Sequence, residues 1–362
     1  MKGKILLEDG SSFKGTLYGS AKNNIGRLAL STAVVGYQEA LTDPANAGKI
    51  IVFTYPLIGN YGVANKFYQS KKVWASGAII KEKSRTYSNW QATGSFGEFI
   101  KKENLAVLSG VDTRTLAVKI REKGEMLAAI AGSGSNDRTL LRKIKSYGKE
   151  PFPRFIKDIS VKRPTRIGDG RAAYIAVLDL GITNSLISQL KAAKCRVTLF
   201  PFDTRAQAIL KTKPDGVIIS NGPEEDSAIP GIVETVRLLL GRIPLLGISL
   251  GHEIIGLALG GSLKIIEPGH RGVNYPVKSP SSYKGEVTVQ NHGYVVTDNI
   301  TKKNREVVVT LRNVNDKTVE RLESRKLKII STQYIPQPSE RNQASEVLTS
   351  FLEMAKGRKR RK

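Results

Sequence analysis

The sequence predicts an α/β protein in two parts: a small strand-rich N-terminal domain, then a C-terminal domain with a mainly parallel sheet flanked by helices. Three observations predict it. At 362 residues the chain is longer than one hydrophobic core usually serves. From residue 173 onward, short apolar runs alternate with amphipathic stretches, the rhythm of a parallel sheet covered on both faces. Before residue 150 the apolar runs are closely spaced and separated by turn residues, as in a small strand-rich fold.

Composition narrows the class. Hydrophobic residues at 40% and charged ones at 25% describe an ordinary soluble globular chain. No apolar run approaches the ~20 residues that span a bilayer. The start, Met1-Lys-Gly-Lys-Ile-Leu-Leu-Glu-Asp, reaches acidic residues too soon for a secretory signal, so a cytoplasmic protein is expected. A single cysteine, Cys195, excludes an internal disulfide framework. With three histidines (His252, His270, His292), a metal cluster would have to be built mainly from carboxylates, and no such spacing is present; no metal site is predicted. The net charge of +25, from 57 basic and 32 acidic residues, favours an acidic partner. Aromatic residues, at 7%, form no platform among the basic ones, so specific nucleic-acid recognition is not expected. The basic tail at 357–362 reads as a solvated end.

In the first domain (1–150), Ile5-Leu-Leu followed by Glu8-Asp-Gly10 reads as a strand and turn, and the alternating 12–18 as its hairpin partner. Residues 49–55, closed by Pro56, and 72–80 read as further strands. Residues 95–103 and 112–122 read as helices; in the second, Asp112 or Thr113 caps, Leu116 and Ile120 share a face, and Gly124 ends it. Residues 151–171 carry Pro151, Pro153, Pro164, Gly168 and Gly170 without periodicity, and read as a linker.

The second domain (172–356) opens on apolar strands at 174–180, 195–201, 216–220 and 243–248, with a helix over 185–193 between the first two. Strand-to-loop transitions are expected at 287–294 and 327–334, and a closing helix from about 340 to 355. Ligands in such sheets bind at the carboxyl ends of the strands. One of those ends carries Gly247-Ile-Ser-Leu-Gly251, the G-x-S-x-G pattern of a nucleophile elbow, in which a strained strand-to-helix turn pushes out its central side chain. Ser249 is the candidate; a tight glycine-rich turn with an incidental serine is the alternative.

Four motifs in order, Ser220-Asn-Gly-Pro, Gly247-Ile-Ser-Leu-Gly-His, Gln290-Asn-His-Gly-Tyr and Gln333-Tyr-Ile-Pro-Gln-Pro-Ser, make the C-terminal part resemble a class I glutamine amidotransferase domain. Val35-Gly-Tyr-Gln-Glu-Ala-Leu-Thr-Asp-Pro44, Thr54-Tyr-Pro-Leu-Ile-Gly-Asn-Tyr-Gly62 and Gly110-Val-Asp-Thr-Arg-Thr-Leu116 narrow the resemblance to the small subunit of carbamoyl-phosphate synthetase. It implies release of ammonia from glutamine for a large subunit that makes carbamoyl phosphate from bicarbonate and ATP, for arginine or pyrimidine synthesis. The implied partner is that large subunit, in a heterodimer or higher assembly. No cofactor is implied for this chain, since ATP and bicarbonate belong to the large subunit.

The resemblance also assigns site positions, and many are substituted. The family's cysteine nucleophile, histidine base and orienting glutamate fall on Ser249, Ile335 and Gln337. The glutamine-site positions fall on Ala33, Gly222, Glu224, Leu250, Glu253, Asn291, Gly293 and Tyr294. Of these, Ala33 replaces a serine, Glu224 a glycine and Glu253 a glutamine, while Tyr294 replaces a phenylalanine conservatively. Isoleucine has no titratable group, so Ser249 would lack the base that hydroxyl nucleophiles require. The expectation is a scaffold whose glutaminase activity is lost, serving as structural or allosteric partner; Glu224 and Glu253 would favour a cationic ligand if the pocket binds one. Two alternatives are a serine hydrolase using Ser249 with His292 and either Glu267 or Glu286, and a repurposed non-catalytic binding protein.

Overall fold

In the computed structural model, the described residues are 1–20, 22, 24–149, 153–340 and 343–357, so the basic tail beyond Gly357 lies outside them. The chain divides into two compact units: Met1–Pro151 with Glu267–Arg271, and Phe152–Ile266 with Gly272–Lys362.

The first unit is built on a closed seven-stranded barrel, in the order Lys2–Leu7, Ser12–Tyr18, Val107–Ser109, Gly77–Ile80, Lys49–Phe53, Asn24–Ser31 and Leu127–Gly132, returning to the first. Closure leaves none of these seven strands with an unpaired edge. Its opening hairpin pairs as expected, with Ile5 opposite Phe13 and Lys2 opposite Thr16. Alternation sends Ile5, Leu7, Leu17, Leu28, Leu30, Ile50, Val52 and Leu108 into one packed cluster. The helix Thr113–Lys123 starts on an Asp112 cap, whose Oδ1 accepts from Thr115 N at 3.0 Å, and covers that cluster with Leu116, Ala117 and Ile120. The helix Phe96–Lys102 starts on a capping box between Ser95 and Glu98.

The strand expected over 72–80 is shorter, Gly77–Ile80. Residues just before it send their N–H groups elsewhere: Trp74 N and Ala75 N donate to Leu41 O at 3.1 and 3.3 Å. Within this unit, Glu267–Arg271 is tied down by the buried ion pair of Arg271 with Glu125 and by Thr32 N donating to Arg271 O at 3.2 Å. Nothing in the strand periodicity signals that excursion.

The second unit carries a ten-stranded sheet, in the order Thr165–Asp169, Arg196–Pro201, Tyr174–Asp179, Gly216–Ile219, Leu245–Ile248, Ile329–Thr332, Val319–Ser324, Val308–Asn313, Leu263–Lys278 and Gly285–Val296. From Arg196–Pro201 to Ile329–Thr332 every neighbouring pair is parallel, as the alternating sequence predicts. One face packs Ala176, Leu178, Val217, Ile219 and Leu245 against Ile209, Ile232, Val236 and Ile254 of helices. The other packs Ile175, Val177, Ile218, Leu246 and Ile248 against Leu186, Leu190, Leu348 and Phe351. Odd and even positions of each strand thus serve opposite helical layers.

Three expectations need correction. The aperiodic stretch after Pro153 is folded: it forms the helix Phe155–Ile159 and the strand Thr165–Asp169, which pairs antiparallel with Arg196–Pro201 at the sheet edge. Five residues per element are too few for periodicity to register. Residues 287–294 lie inside the continuous strand Gly285–Val296 and make no strand-to-loop transition. The closing helix runs Glu346–Gly357 and starts later than expected. Among the described residues no helix is long and apolar enough to cross a membrane.

Two glycine substitutions test this packing with opposite signs. A Cβ on Gly251 would sit 2.0 Å from Ile219 O, whereas one on Gly231 meets nothing within 4 Å. Gly251→Ala is expected to destabilise by about 1–3 kcal/mol or more. Gly231→Ala, in the exposed first turn of the helix Ile229–Leu239, is expected to be neutral or to gain up to about 1 kcal/mol. Urea unfolding of the two variants checks both signs.

Candidate functional site

The strand Leu245–Ile248 runs into the helix Leu250–Ala258 through a single residue, Ser249, at φ 52° and ψ −112°. A side-chain-bearing residue in that region costs about 1–3 kcal/mol and persists only where its surroundings enforce it. Here they do. Ser249 N donates to Thr332 O at 2.8 Å, and Ser249 O accepts from His252 N at 2.8 Å and Glu253 N at 3.2 Å. The flanking glycines permit the approach, since a Cβ on Gly247 would lie 2.6 Å from Gly251 O. The elbow expected from G-x-S-x-G is therefore present as geometry. Ser249 is 1% exposed, and its Oγ has no hydrogen-bond partner among the described residues.

The strand Ile329–Thr332 lies beside the elbow strand, with Thr332 in register with Ile248. The chain continues to Ile335, whose N–H donates to Val289 O at 2.9 Å. The position thus sits at the carboxyl edge next to the elbow and presents a half-buried hydrocarbon side chain. Gln337 is exposed. Gln333, buried between them and Thr332, donates through Nε2 to Glu253 Oε1 at 2.8 Å. Glu253 itself is 1% exposed on the first turn of the elbow helix, beside the buried Leu250.

The loop after Gly216–Ile219 holds Gly222 so tightly that a Cβ would lie 2.3 Å from Leu180 O. Two residues on, the Glu224 carboxylate accepts from Gly293 N, at 2.7 Å to Oε1 and 2.9 Å to Oε2, and from Tyr294 N at 3.1 Å. Glu225 Oε1 accepts from the Tyr294 hydroxyl at 3.1 Å. Asp226, 2% exposed, accepts from Ala228 N and Ile156 N, both at 2.8 Å; burial raises its carboxyl above the usual range while those N–H groups pull it down. Asn291 is half-buried on the same strand as Gly293. Ala33 lies in the first unit, just after the strand Asn24–Ser31.

The carboxylates of Glu224 and Glu253 each accept a hydrogen bond from the protein, from Gly293 N and Gln333 Nε2. Tyr294 is not a passive replacement for phenylalanine, because its hydroxyl has a carboxylate acceptor in Glu225. Sequence reasoning missed that partnership and the Gln333–Glu253 bond; the acidic run 224–226 was the available signal, and its targets are 69 and 70 residues away.

The residues of the alternative serine triad are not brought together. His292 Nδ1 faces Tyr294 O at 2.9 Å and its Nε2 faces Gln290 Oε1 at 2.7 Å, so neither ring nitrogen is available to Ser249. Glu286 accepts from the Tyr334 hydroxyl at 2.7 Å, and the Glu267 carboxylate lies against Gly124, where a Cβ would meet Oε2 at 2.4 Å. His252 is fully buried on the elbow helix, with Nδ1 against Ser331 Oγ at 2.9 Å.

Burial lowers His252 from its ordinary 6.5 to about 3. The unfolded chain therefore binds a proton that the folded chain refuses, and stability falls as pH drops from 6.5 towards 3. The slope is up to about 1.4 kcal/mol per pH unit. Nitrogen NMR is expected to find the His252 imidazole neutral near pH 5, and His252→Gln is expected to flatten the decline; titration of that ring near its ordinary value would contradict the assignment.

Comparison with known families agrees with this architecture. Residues 5–130 match the carbamoyl-phosphate synthase small chain, CPSase domain, and residues 176–355 match glutamine amidotransferase class-I. The carbamoyl phosphate synthase small chain of Clostridium acetobutylicum is 39% identical over 339 residues, covering 93% of this chain and 95% of the relative. The pyrimidine-specific small chain of Bacillus subtilis is 36% identical, covering 98% and 96%. With both domain families matched in order and similarity extending over nearly the whole chain, the protein belongs to the carbamoyl-phosphate synthase small chain family.

Proposed function

We propose that this chain is a carbamoyl-phosphate synthase small subunit whose own glutaminase activity is lost, and that it serves as structural or allosteric partner of a large subunit using ammonia directly. The observation that carries the reading is Ile335 at the carboxyl edge beside the elbow, one strand from Ser249. Attack on an amide by a serine requires a group to take the hydroxyl proton and return one to the leaving nitrogen. A hydrocarbon does neither, and Ser249 Oγ, buried without a hydrogen-bond partner among the described residues, has no substitute at hand. General-base catalysis contributes about 10²–10⁴-fold, and a triad without its members retains only weak residual rate.

The pocket around the elbow supports the same reading. Glu224 places a carboxylate on the backbone donors of Gly293 and Tyr294, and Glu253 replaces an amide with a carboxylate one helical turn from Ser249. Family membership implies a large subunit, and the net charge of +25 suits an acidic face on it. On this reading the pair is cytoplasmic, and ATP and bicarbonate are handled by the large subunit.

The isolated chain is expected to release no glutamate from glutamine above a buffer blank. Ser249→Cys alone is expected to change nothing, because a thiol beside Ile335 still lacks a proton acceptor. Glutamate release by the unmodified chain that disappears in Ser249→Ala would sink the proposal. Copurification with the cognate large subunit, weakened at high salt, is the expected result for assembly; a monomer indifferent to that subunit at any salt contradicts it.

A further inference from the structure

We infer that Glu224 is a tethered occupant of an anion-receiving pair of strand N–H groups, a built-in carboxylate that latches the loop 221–226 onto the strand Gly285–Val296. The inference rests on the reading that this pocket no longer serves glutamine, and adds what keeps it closed. Successive N–H groups of a regular strand point to opposite sides, so two that converge on one carboxylate mark a local concavity built for negative charge. Gly293 N and Tyr294 N converge in this way on Glu224, at 2.7 and 3.1 Å to the same Oε1. Gly293 N also reaches Oε2 at 2.9 Å, so one N–H spans both carboxylate oxygens.

The loop delivers this carboxylate from a fixed base. Gly222 is pressed against Leu180 O at one end, and Asp226 is locked by Ala228 N and Ile156 N at the other. Between them, Glu225 adds a second clamp through the Tyr294 hydroxyl. Hydrogen bonds from N–H groups to a carboxylate are stronger than neutral ones, and the rigid tether keeps the entropy of closing low. A tethered ligand acts at an effective concentration of about millimolar or more, so a free carboxylate that binds these two N–H groups weakly cannot displace it. The Gly293–Tyr294 N–H pair is therefore a carboxylate site filled from within, available to an external carboxylate only when Glu224 leaves.

The test uses the full chain as wild type, Glu224→Gly, Glu224→Gln and Tyr294→Phe, with acetate as the probe. Hydrogen exchange at Gly293 and Tyr294, followed by NMR, is expected to be slow in wild type and insensitive to acetate. In Glu224→Gly the two amides are expected to exchange at least ten-fold faster, and tens of millimolar acetate is expected to slow them and shift their resonances. Glu224→Gln retains the side-chain volume and an oxygen acceptor without the charge, and is expected to lie between; it carries the test if the glycine variant does not fold. Tyr294→Phe is expected to loosen residues 221–226 while leaving the Gly293 amide protected. Unchanged exchange in both Glu224 variants, or acetate shifting wild type as readily as Glu224→Gly, overturns the latch. Glutamine hydrolysis is not read here, so a failed latch leaves the proposed loss of activity standing, and a glutaminase with intact protection of Gly293 condemns the function and not the latch.

Discussion

The approach of the elbow helix to the sheet is the constraint on which the rest of the C-terminal unit depends. Gly251 lies where a Cβ would meet Ile219 O at 2.0 Å, and Gly247 where one would meet Gly251 O at 2.6 Å. With helix and strand so close, the residue joining them must turn in little space, and Ser249 does so at positive φ. Its N–H is then aligned on Thr332 O, which ties the elbow to the neighbouring parallel strand and sets where Gln333, Tyr334 and Ile335 emerge. A strained serine is an expensive way to make a turn that glycine would make freely. The geometry that exposes a nucleophile has thus been kept at a position whose neighbours, on the proposed reading, no longer use one.

The substituted residues are not scattered damage. Glu224 engages Gly293 and Tyr294, Glu225 engages the Tyr294 hydroxyl, and Glu253 engages Gln333, so each acidic side chain near the elbow has a protein donor. A buried charge without such donors costs several kcal/mol, which makes compensated replacement the stable outcome. Tyr294 illustrates it: the hydroxyl that tyrosine adds to the ring meets the Glu225 carboxylate of the loop at 3.1 Å. The pocket is reorganised around internal contacts, and these are what an external ligand would have to displace.

Much of this was legible in the sequence. The parallel strands were readable because each is an apolar run long enough to stand out, and the elbow because G-x-S-x-G encodes close packing as well as chemistry. The hairpin Lys2–Leu7 with Ser12–Tyr18 was readable from its turn and alternation. The short helix and edge strand between residues 155 and 169 were not, since proline and glycine there mask elements only five residues long. The Glu267–Arg271 excursion was hidden because its cause, the Arg271–Glu125 ion pair, spans 146 residues. The Glu224 contacts were invisible for the same reason: composition announces an acidic run, but only the folded strand order says which N–H groups it meets.

The central claim, that this subunit does not supply ammonia from glutamine, is tested most directly by following nitrogen. The copurified pair of small and large subunits is given ATP, bicarbonate, amide-labelled ¹⁵N-glutamine and unlabelled ammonium together. The account predicts carbamoyl phosphate free of the label at every ratio of the two donors. Label in the product, rising with glutamine and abolished by Ser249→Ala, would contradict it.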